Sequence, residues 1–245
     1  MSDGYGFLVK VFSTEKYRED FLDGKLYMNT IKYFKEYEEE KNNNIGDKNE
    51  AVTAWLQPKG LRLIIHPPGM DEIIITEKDI LGPIIIRTNN HDSYNVLCLT
   101  VLHSHEFSIN ELLTEEQIEQ VRGYFKMPEE SLNLGAYAVI IPNIPEFISR
   151  IKRAAQSLID SNEANYFSAR KLIYYDSNES LSLENTADAV FHKQKEYEHQ
   201  SEFRLCLDRG KGTEDAYFFN VESLRDIAFP IPTSEINSKI KLETY

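Results

Sequence analysis

Three polar residues at alternate positions near the carboxyl end of the chain could form a site for chemistry. They are Gln200, Glu202 and Arg204, in the segment FHKQKEYEHQSEFRLCLD at Phe191–Asp208. From Ser201 onward polar and apolar residues alternate, which predicts a strand with these side chains on one face. A carboxylate with a polar neighbour can stabilise the oxocarbenium ion that forms when a nicotinamide–ribose bond breaks. Glu202 and Gln200 are therefore the predicted catalytic residues.

The residues just before this strand could complete a pocket. The charged stretch Ala187–His199 predicts a helix, on which Lys193 and Tyr197 are four positions apart and share a face. Arg204 could hold a phosphate with two parallel hydrogen bonds, or simply pair with Glu202. Lys193, Tyr197 and Arg204 are therefore predicted to bind a cofactor. A solvated helix followed by an edge strand is the alternative interpretation, and the sequence leaves both open.

Two carboxylates follow an asparagine-rich loop in the first third of the chain. Asp47 and Glu50 stand immediately before the strand-like run AVTAWL. They could bind a cation or a ribose hydroxyl. Aspartate is also common in loops because its side chain bonds its own backbone, and this turn-forming role is the favoured interpretation. Whether Asp47 and Glu50 join the site near Glu202 is left open.

The histidines do not make a persuasive metal site. His91, His103 and His105 occur with Asp92 and Glu106, and on a strand His103 and His105 would share a face. Metal sites in proteins usually take three or four ligands, and no third ligand is evident near this pair. We therefore expect no bound metal and interpret the histidines as solvated or hydrogen-bonded.

The elements that must position these residues predict an α+β fold. Short β-branched runs are separated by turns, and helical patterns do not alternate regularly with them, which favours a mixed, mainly antiparallel sheet with flanking helices. LRLIIH and EIIIT predict a hairpin, and Ile144–Asp160 is the strongest predicted helix. The length of 245 residues predicts a single domain over 1–245, with a possible weak seam near 127–134.

Composition narrows the classes of partner. The formal net charge is −13, from 27 Lys+Arg against 40 Asp+Glu, which argues against direct binding to a nucleic-acid backbone. The acidic surface leaves room for a protein partner. The sequence has neither a signal-peptide pattern nor an apolar run of membrane-spanning length, so we expect a cytoplasmic protein that does not bind membranes. Cys98 and Cys206 lie in apolar runs and are expected to be reduced.

Several motifs together resemble a known group of proteins. FLDGKLYMNTIKYFKEYEEE, GDKNEA, KEYEHQSEFRLCL and LRDIAFPIPTSEINSKI are similar to segments of an uncharacterised bacterial and phage domain family, with a terminal Lys-x3-Tyr-x2-Gln-x-Glu-Phe-Arg segment. The ends are also distantly similar to ADP-ribosyltransferase-like proteins. That similarity implies NAD as cofactor, Glu202 as catalytic carboxylate and Gln200 as its partner. The chain lacks a clear Ser-Thr-Ser strand, and Lys10 and Arg18 are poor substitutes for a first-strand Arg or His.

The sequence thus supports two functions of different classes. One is an intracellular phage or mobile-element protein that is ADP-ribosyltransferase-like or cleaves NAD. The alternative is a non-catalytic acidic binding module that engages a host bacterial protein complex, in a defence or anti-defence role. Whether the protein is an enzyme is left open by the sequence.

Overall fold

The chain divides into two compact units. The computed structural model describes residues 5–41, 47–105, 107, 113–210, 212 and 215–241. The large unit comprises Met1–Thr30, Ser93–Leu172 and Glu198–Tyr245, and the small unit comprises Ile31–Asp92 and Ile173–Tyr197. The small unit therefore interrupts the large one twice in sequence. The predicted seam at 127–134 lies inside the large unit, and the single-domain expectation stays a prediction.

The secondary structure mixes short strands with a few helices. The strands are β1 (Gly6–Phe12), β2 (Lys25–Thr30), β3 (Val52–Leu56), β4 (Arg62–Ile65), β5 (Ile73–Thr76), β6 (Ile84–Arg87), β7 (Asn95–His103), β8 (Tyr137–Ile141), β9 (Tyr166–Lys171), β10 (Ile173–Tyr175), β11 (Leu181–Ser182), β12 (His192–Gln194), β13 (Glu202–Asp208), β14 (Tyr217–Asn220) and β15 (Phe229–Pro232). The α-helices are α1 (Glu15–Leu22), α2 (Ile31–Lys41), α3 (Glu115–Tyr124), α4 (Glu129–Leu132), α5 (Ile144–Asp160) and α6 (Ile236–Lys239). Segments of 3-10 helix are Asn89–Ser93, Thr186–Phe191, Lys195–Gln200 and Thr233–Glu235.

The large unit is built on one antiparallel sheet. Among the described residues this sheet has eight strands, with a path β14-β2-β7-β1-β8-β15 and with β13 lying between β7 and β9. Every strand pair in it is antiparallel. This arrangement, with helices alongside, confirms the predicted α+β fold.

Helix α5 covers one face of this sheet. It spans the predicted range, because Asn143 caps it by accepting from the Glu146 N–H and a proline occupies its first turn. The buried residues of the helix, at helical spacing, are Phe147, Ile151 and Ala155. They belong to the main apolar core, together with residues of β1, β7, β8 and β13. The burial of this face anchors the helix.

The small unit contains three minor sheets. β11, β3 and β6 form an antiparallel three-stranded sheet, and β10 pairs with β12 in parallel. β4 and β5 form the predicted antiparallel hairpin, with Ile64 directly opposite Ile74. These elements bring two distant stretches of sequence together, since β10 to β12 come from the second segment of the unit.

The predicted charged helix at Ala187–His199 is wrong. The stretch instead forms a 3-10 segment, the short strand β12 and a second 3-10 segment. In β12, Lys193 lies opposite Tyr174 of β10, and all three residues of the strand are buried. Pairing with β10 therefore overrides the local preference of a charged segment for helix.

Candidate functional site

The predicted site residues are divided between the two units. Lys193 and Tyr197 belong to the small unit, whereas Gln200, Glu202 and Arg204 belong to the large unit. Each group has further polar neighbours within its own unit that the sequence did not associate with it. We call these sets the large-unit polar cluster, Lys10, Cys98, Glu202 and Arg204, and the small-unit polar cluster, Asp47, Asn49, Glu50, Tyr175, Lys193, Gln194 and Tyr197.

Gln200 does not share the strand face with Glu202 and Arg204. It ends a 3-10 segment, and Ser201 follows with a φ of 43° in the left-handed region. Ser201 is fixed there because its backbone carbonyl accepts from the Val101 N–H and its hydroxyl donates to the Val101 carbonyl. The prediction that all three polar residues alternate on one strand is thus wrong for Gln200.

The strand that carries Glu202 and Arg204 is an interior strand. β13 is paired on both sides, with β7 and with β9, so the edge-strand interpretation is wrong. Its buried positions on the opposite face, Leu205 and Leu207, lie in the main core. An interior strand has little freedom to shift, and it therefore fixes both polar side chains on a rigid frame.

The large-unit cluster centres on the guanidinium of Arg204. This side chain is 1% exposed, and its Nη2 donates to Oε2 of Glu202 at 3.0 Å. Its Nε donates to Sγ of Cys98 at 3.2 Å, and Cys98 lies directly opposite Arg204 on β7. A buried guanidinium needs such partners because the loss of hydration is costly for an ion. The Arg204 guanidinium therefore binds both the Glu202 carboxylate and the Cys98 thiol.

Lys10 adds a second basic side chain to this cluster. β1 pairs with positions 100–103 of β7 and β2 with positions 95–96, so Cys98 lies between the two paired stretches. The Lys10 Nζ donates to the Cys98 carbonyl there at 2.9 Å. Burial lowers the pKa of Lys10, while Cys98 and Glu202 act in the opposite direction. The sequence analysis considered Lys10 only as a poor substitute for a first-strand Arg or His, whereas strand register brings it to this cluster.

In the small-unit cluster, Lys193 is surrounded by acidic and aromatic groups. Its side chain is 1% exposed, and Nζ lies 3.9 Å from Oε1 of the equally buried Glu50. The same Nζ lies 4.6 Å from the centre of the Tyr197 ring, in a cation–π contact. The predicted association of Lys193 with Tyr197 is therefore present, although it does not arise from a helix.

The turn at positions 47–50 supplies both acidic residues of this cluster. The Asp47 carboxylate accepts from the Asn49 N–H at 2.7 Å, which is the turn-forming role expected of it. The Asn49 side chain donates to Oε1 of Gln194 at 3.2 Å, which ties the turn to β12. Asp47 and Glu50 are both buried. Glu50 thus lies beside Lys193, a connection between residues far apart in sequence that the sequence analysis left open, while Asp47 holds the turn through Asn49.

Tyr175 is a member of the small-unit cluster that the sequence analysis missed. It lies on β10 opposite Gln194, and its ring centre is 6.3 Å from that of Trp55. Burial raises the pKa of its phenol, the charges of Asp47 and Glu50 raise it further, and the charge of Arg87 acts in the opposite direction. The run Lys171–Asp176 predicted only a strand, so no signal distinguished this tyrosine from a core residue.

The histidine set is also divided between the units. His91 belongs to the small unit, while His103 and His105 belong to the large one, where the His105 N–H donates to Nδ1 of His103 at 2.8 Å. Glu106 lies outside the described residues. Within the described parts of the chain, no group of three or more His, Cys, Asp or Glu residues could hold a metal ion.

Comparisons of the chain with family models, with curated proteins and with solved structures find no match. None of the helices in the described ranges is both long enough and apolar enough to cross a membrane. Arguments about function therefore rest on the two clusters themselves.

Proposed function

We propose that the large unit binds NAD and breaks its nicotinamide–ribose bond, with Glu202 as the catalytic carboxylate. The observation that carries this proposal is the buried hydrogen bond from Arg204 to Glu202 on an interior strand. A cation that donates to a carboxylate favours its ionised form. A fixed, ionised carboxylate in a region of low dielectric is the group that stabilises a developing positive charge.

Cleavage of the nicotinamide–ribose bond requires chiefly the negative charge of the Glu202 carboxylate beside the ribose. As the bond from C1′ to the nicotinamide nitrogen breaks, its electron pair leaves with nicotinamide, and positive charge develops on the ribose. Glu202 stabilises that charge until water or an acceptor side chain attacks C1′ and releases a proton. The basic side chains of Arg204 and Lys10 favour the anionic pyrophosphate in this proposal, and Gln200, which does not share the strand face of Glu202, has no assigned role. Lys193 and Tyr197 have no role in it.

Release of nicotinamide from NAD, measured by chromatography, tests this function. Glu202→Gln should lower the rate by about 100- to 1,000-fold, because the neutral amide cannot stabilise the oxocarbenium ion. Glu198→Gln is the matched control, since Glu198 is an exposed glutamate in the preceding 3-10 segment. No nicotinamide release together with no NAD binding by calorimetry would contradict the proposal.

An exposed apolar hairpin favours a second candidate function, a binding module without catalysis. Five of the six apolar residues of β4 and β5 are 40% to 48% exposed, and the sixth, Ile75, is half-buried: Leu63, Ile64, Ile65, Ile73 and Ile74 are the exposed ones. Continuous apolar runs are typical of strands that are covered on both faces. With a net charge of −13, the expected occupant is a host bacterial protein with an apolar cleft and a basic rim.

Affinity capture from bacterial lysate tests this second function when it is combined with hairpin variants. Ile64→Ser with Ile74→Ser should remove a stoichiometric partner, and added salt should weaken its capture from the wild-type chain. Tyr17→Ser, which changes an exposed aromatic residue of α1, should retain it. A partner captured equally by the hairpin variant, or one insensitive to salt, would exclude this mode of binding.

A further inference from the structure

Strand β14 forms an edge of the large sheet. It pairs on one side with β2, and among the described residues no strand lies on its other side. The Val221 N–H donates to the Gly24 carbonyl, which continues the register of the two strands. Alternate residues of an antiparallel strand bond to the same neighbour, so the backbone of Phe219 bonds to β2. The N–H and C=O groups of Phe218 and Asn220 therefore point away from β2, towards the open side.

The opposite edge of the sheet, at β15, is blocked by proline. The Thr233 N–H donates to the Ala136 carbonyl, so the same alternation makes Pro230 and Pro232 the outward positions of β15. Neither proline has an N–H to donate, and edge prolines of this kind prevent pairing with another strand. Strand β14 has no proline, and its outward donors remain available.

An aromatic pair lies on the outer face of the β14 edge. Tyr27 and Phe218 are directly opposite each other, their ring centres are 5.1 Å apart, and the residues are 49% and 50% exposed. Phe219 alternates with Phe218 and is buried in the main core, and Arg209 lies over the ring of Tyr217 on that same inner side. The outer face thus offers an apolar contact to the side chain of a strand that is added beside Phe218.

The charges at the two ends of β14 select the ligand. The strand itself is uncharged, and Asp215 and Glu222 flank it on either side. Glu222 pairs with Arg153 but keeps 61% of its side chain exposed, and Lys25, opposite Asn220, is paired with Asp20. Because both ends carry a carboxylate, a second copy of this acidic chain is repelled in either strand direction. A segment with basic ends is attracted.

We propose that β14 binds an extended peptide segment that has an apolar residue at its centre and basic residues at both ends. The segment adds a strand to the sheet, and its backbone exchanges hydrogen bonds with Phe218 and Asn220. Its central side chain packs on the Phe218 ring, and its basic ends lie near Asp215 and Glu222. This surface goes beyond the proposed function, because it uses neither Glu202 nor the hairpin of β4 and β5.

Fluorescence anisotropy of a labelled peptide tests this surface. The probe is Lys-Lys-Thr-Thr-Leu-Thr-Thr-Lys-Lys with fluorescein at its amino end, and it should bind the wild-type chain with saturation. Asn220→Pro should weaken binding about tenfold, because it removes an outward N–H and leaves the bonds to β2 in place. Asn220→Thr keeps the N–H and should bind as the wild type does. Equal binding by wild type and Asn220→Pro, or no binding at millimolar peptide, would overturn the proposal.

Further measurements separate the peptide site from the other occupants of an open edge. A peptide with Glu in place of every Lys should bind about tenfold more weakly in low salt, and added salt should reduce this difference. Phe218→Thr should also weaken binding, and it replaces Asn220→Pro as the test if thermal unfolding shows that the proline variant is destabilised. A wild-type dimer in sedimentation that Phe218→Thr dissociates would show that a second copy covers the edge, and would contradict the peptide site.

Discussion

The two polar clusters are built from opposite balances of charge. In the large-unit cluster, two basic side chains, those of Lys10 and Arg204, accompany one carboxylate, that of Glu202. In the small-unit cluster, two carboxylates accompany one ammonium group, that of Lys193. Basic side chains are therefore in excess in the large-unit cluster but not in the small-unit cluster, where Arg87 also donates to the Asn49 side chain at 2.7 Å.

The supports of the two clusters differ as well. Glu202 and Arg204 are carried by a strand with partners on both sides, whereas Asp47 and Glu50 are carried by a turn that the Asn49–Gln194 side-chain bond ties to β12. A rigid strand suits catalysis, which depends on groups held in place before the reaction. Variants that separate folding from chemistry can test this contrast.

Removal of Arg204 should have the largest effect. Arg204→Met leaves the buried Glu202 carboxylate without its guanidinium partner, so we expect a loss of about 3–5 kcal/mol in the free energy of unfolding, measured with urea. Arg122→Met, at an exposed arginine of α3 paired with Glu119, should cost less than about 1 kcal/mol.

The double variant Arg204→Met with Glu202→Leu sharpens this experiment. Replacement of a whole buried ion pair by apolar residues is often neutral for stability, so the double variant should recover most of the loss. It should still release no nicotinamide, because the carboxylate is gone. Full nicotinamide release by the folded double variant would show that Arg204 and Glu202 have only a structural role.

Removal of Lys193 should have the second largest effect, in the small unit. Lys193→Met leaves Glu50 buried without the ammonium and removes the contact with the Tyr197 ring. We expect a loss of about 3 kcal/mol, at the low end of the range for buried pairs because the two atoms are 3.9 Å apart. Lys195→Met, at an exposed lysine two positions later, is the control. Equal stability of these two variants would show that the Lys193 pair contributes nothing.

What the sequence could predict followed from local physics. Helix α5 was predicted over its full range because apolar periodicity and an N-terminal proline act within one segment, and the cap that Asn143 forms in the structure is local as well. The charged stretch around Lys193 was mispredicted because its structure depends on pairing with β10. The Asn49–Gln194 bond joins positions 145 apart, and no local pattern indicates such a contact. The sequence therefore indicated individual candidate residues, but not which of them lie together in space.

The two cysteines should differ sharply in reactivity. Cys98 is half-buried, and its Sγ accepts a hydrogen bond from the Arg204 guanidinium. Cys206 is fully buried, and burial raises the pKa of its thiol. Iodoacetamide should therefore label one thiol in the native wild-type chain and none in Cys98→Ser, while urea should expose Cys206 as well. Labelling of Cys206 in the folded chain would contradict the full burial of its thiol.

A titration of His103 should give the smallest effect and confine it to the large unit. The His105 N–H donates to Nδ1 of His103, which requires the neutral ring with its proton on Nε2. Burial lowers the pKa of His103 below its ordinary value of 6.5, and the charges of Lys171 and His105 lower it further. The unfolded chain therefore takes up the proton first, so stability should fall as pH decreases from 6.5 towards the folded-state pKa and then level off. The difference in unfolding free energy between wild type and His103→Gln, measured in urea from pH 7.5 to pH 4.5, should shrink over that window. A difference that stays constant with pH would mean that His103 titrates as it does in the unfolded chain, and that the bond from His105 does not hold its ring neutral.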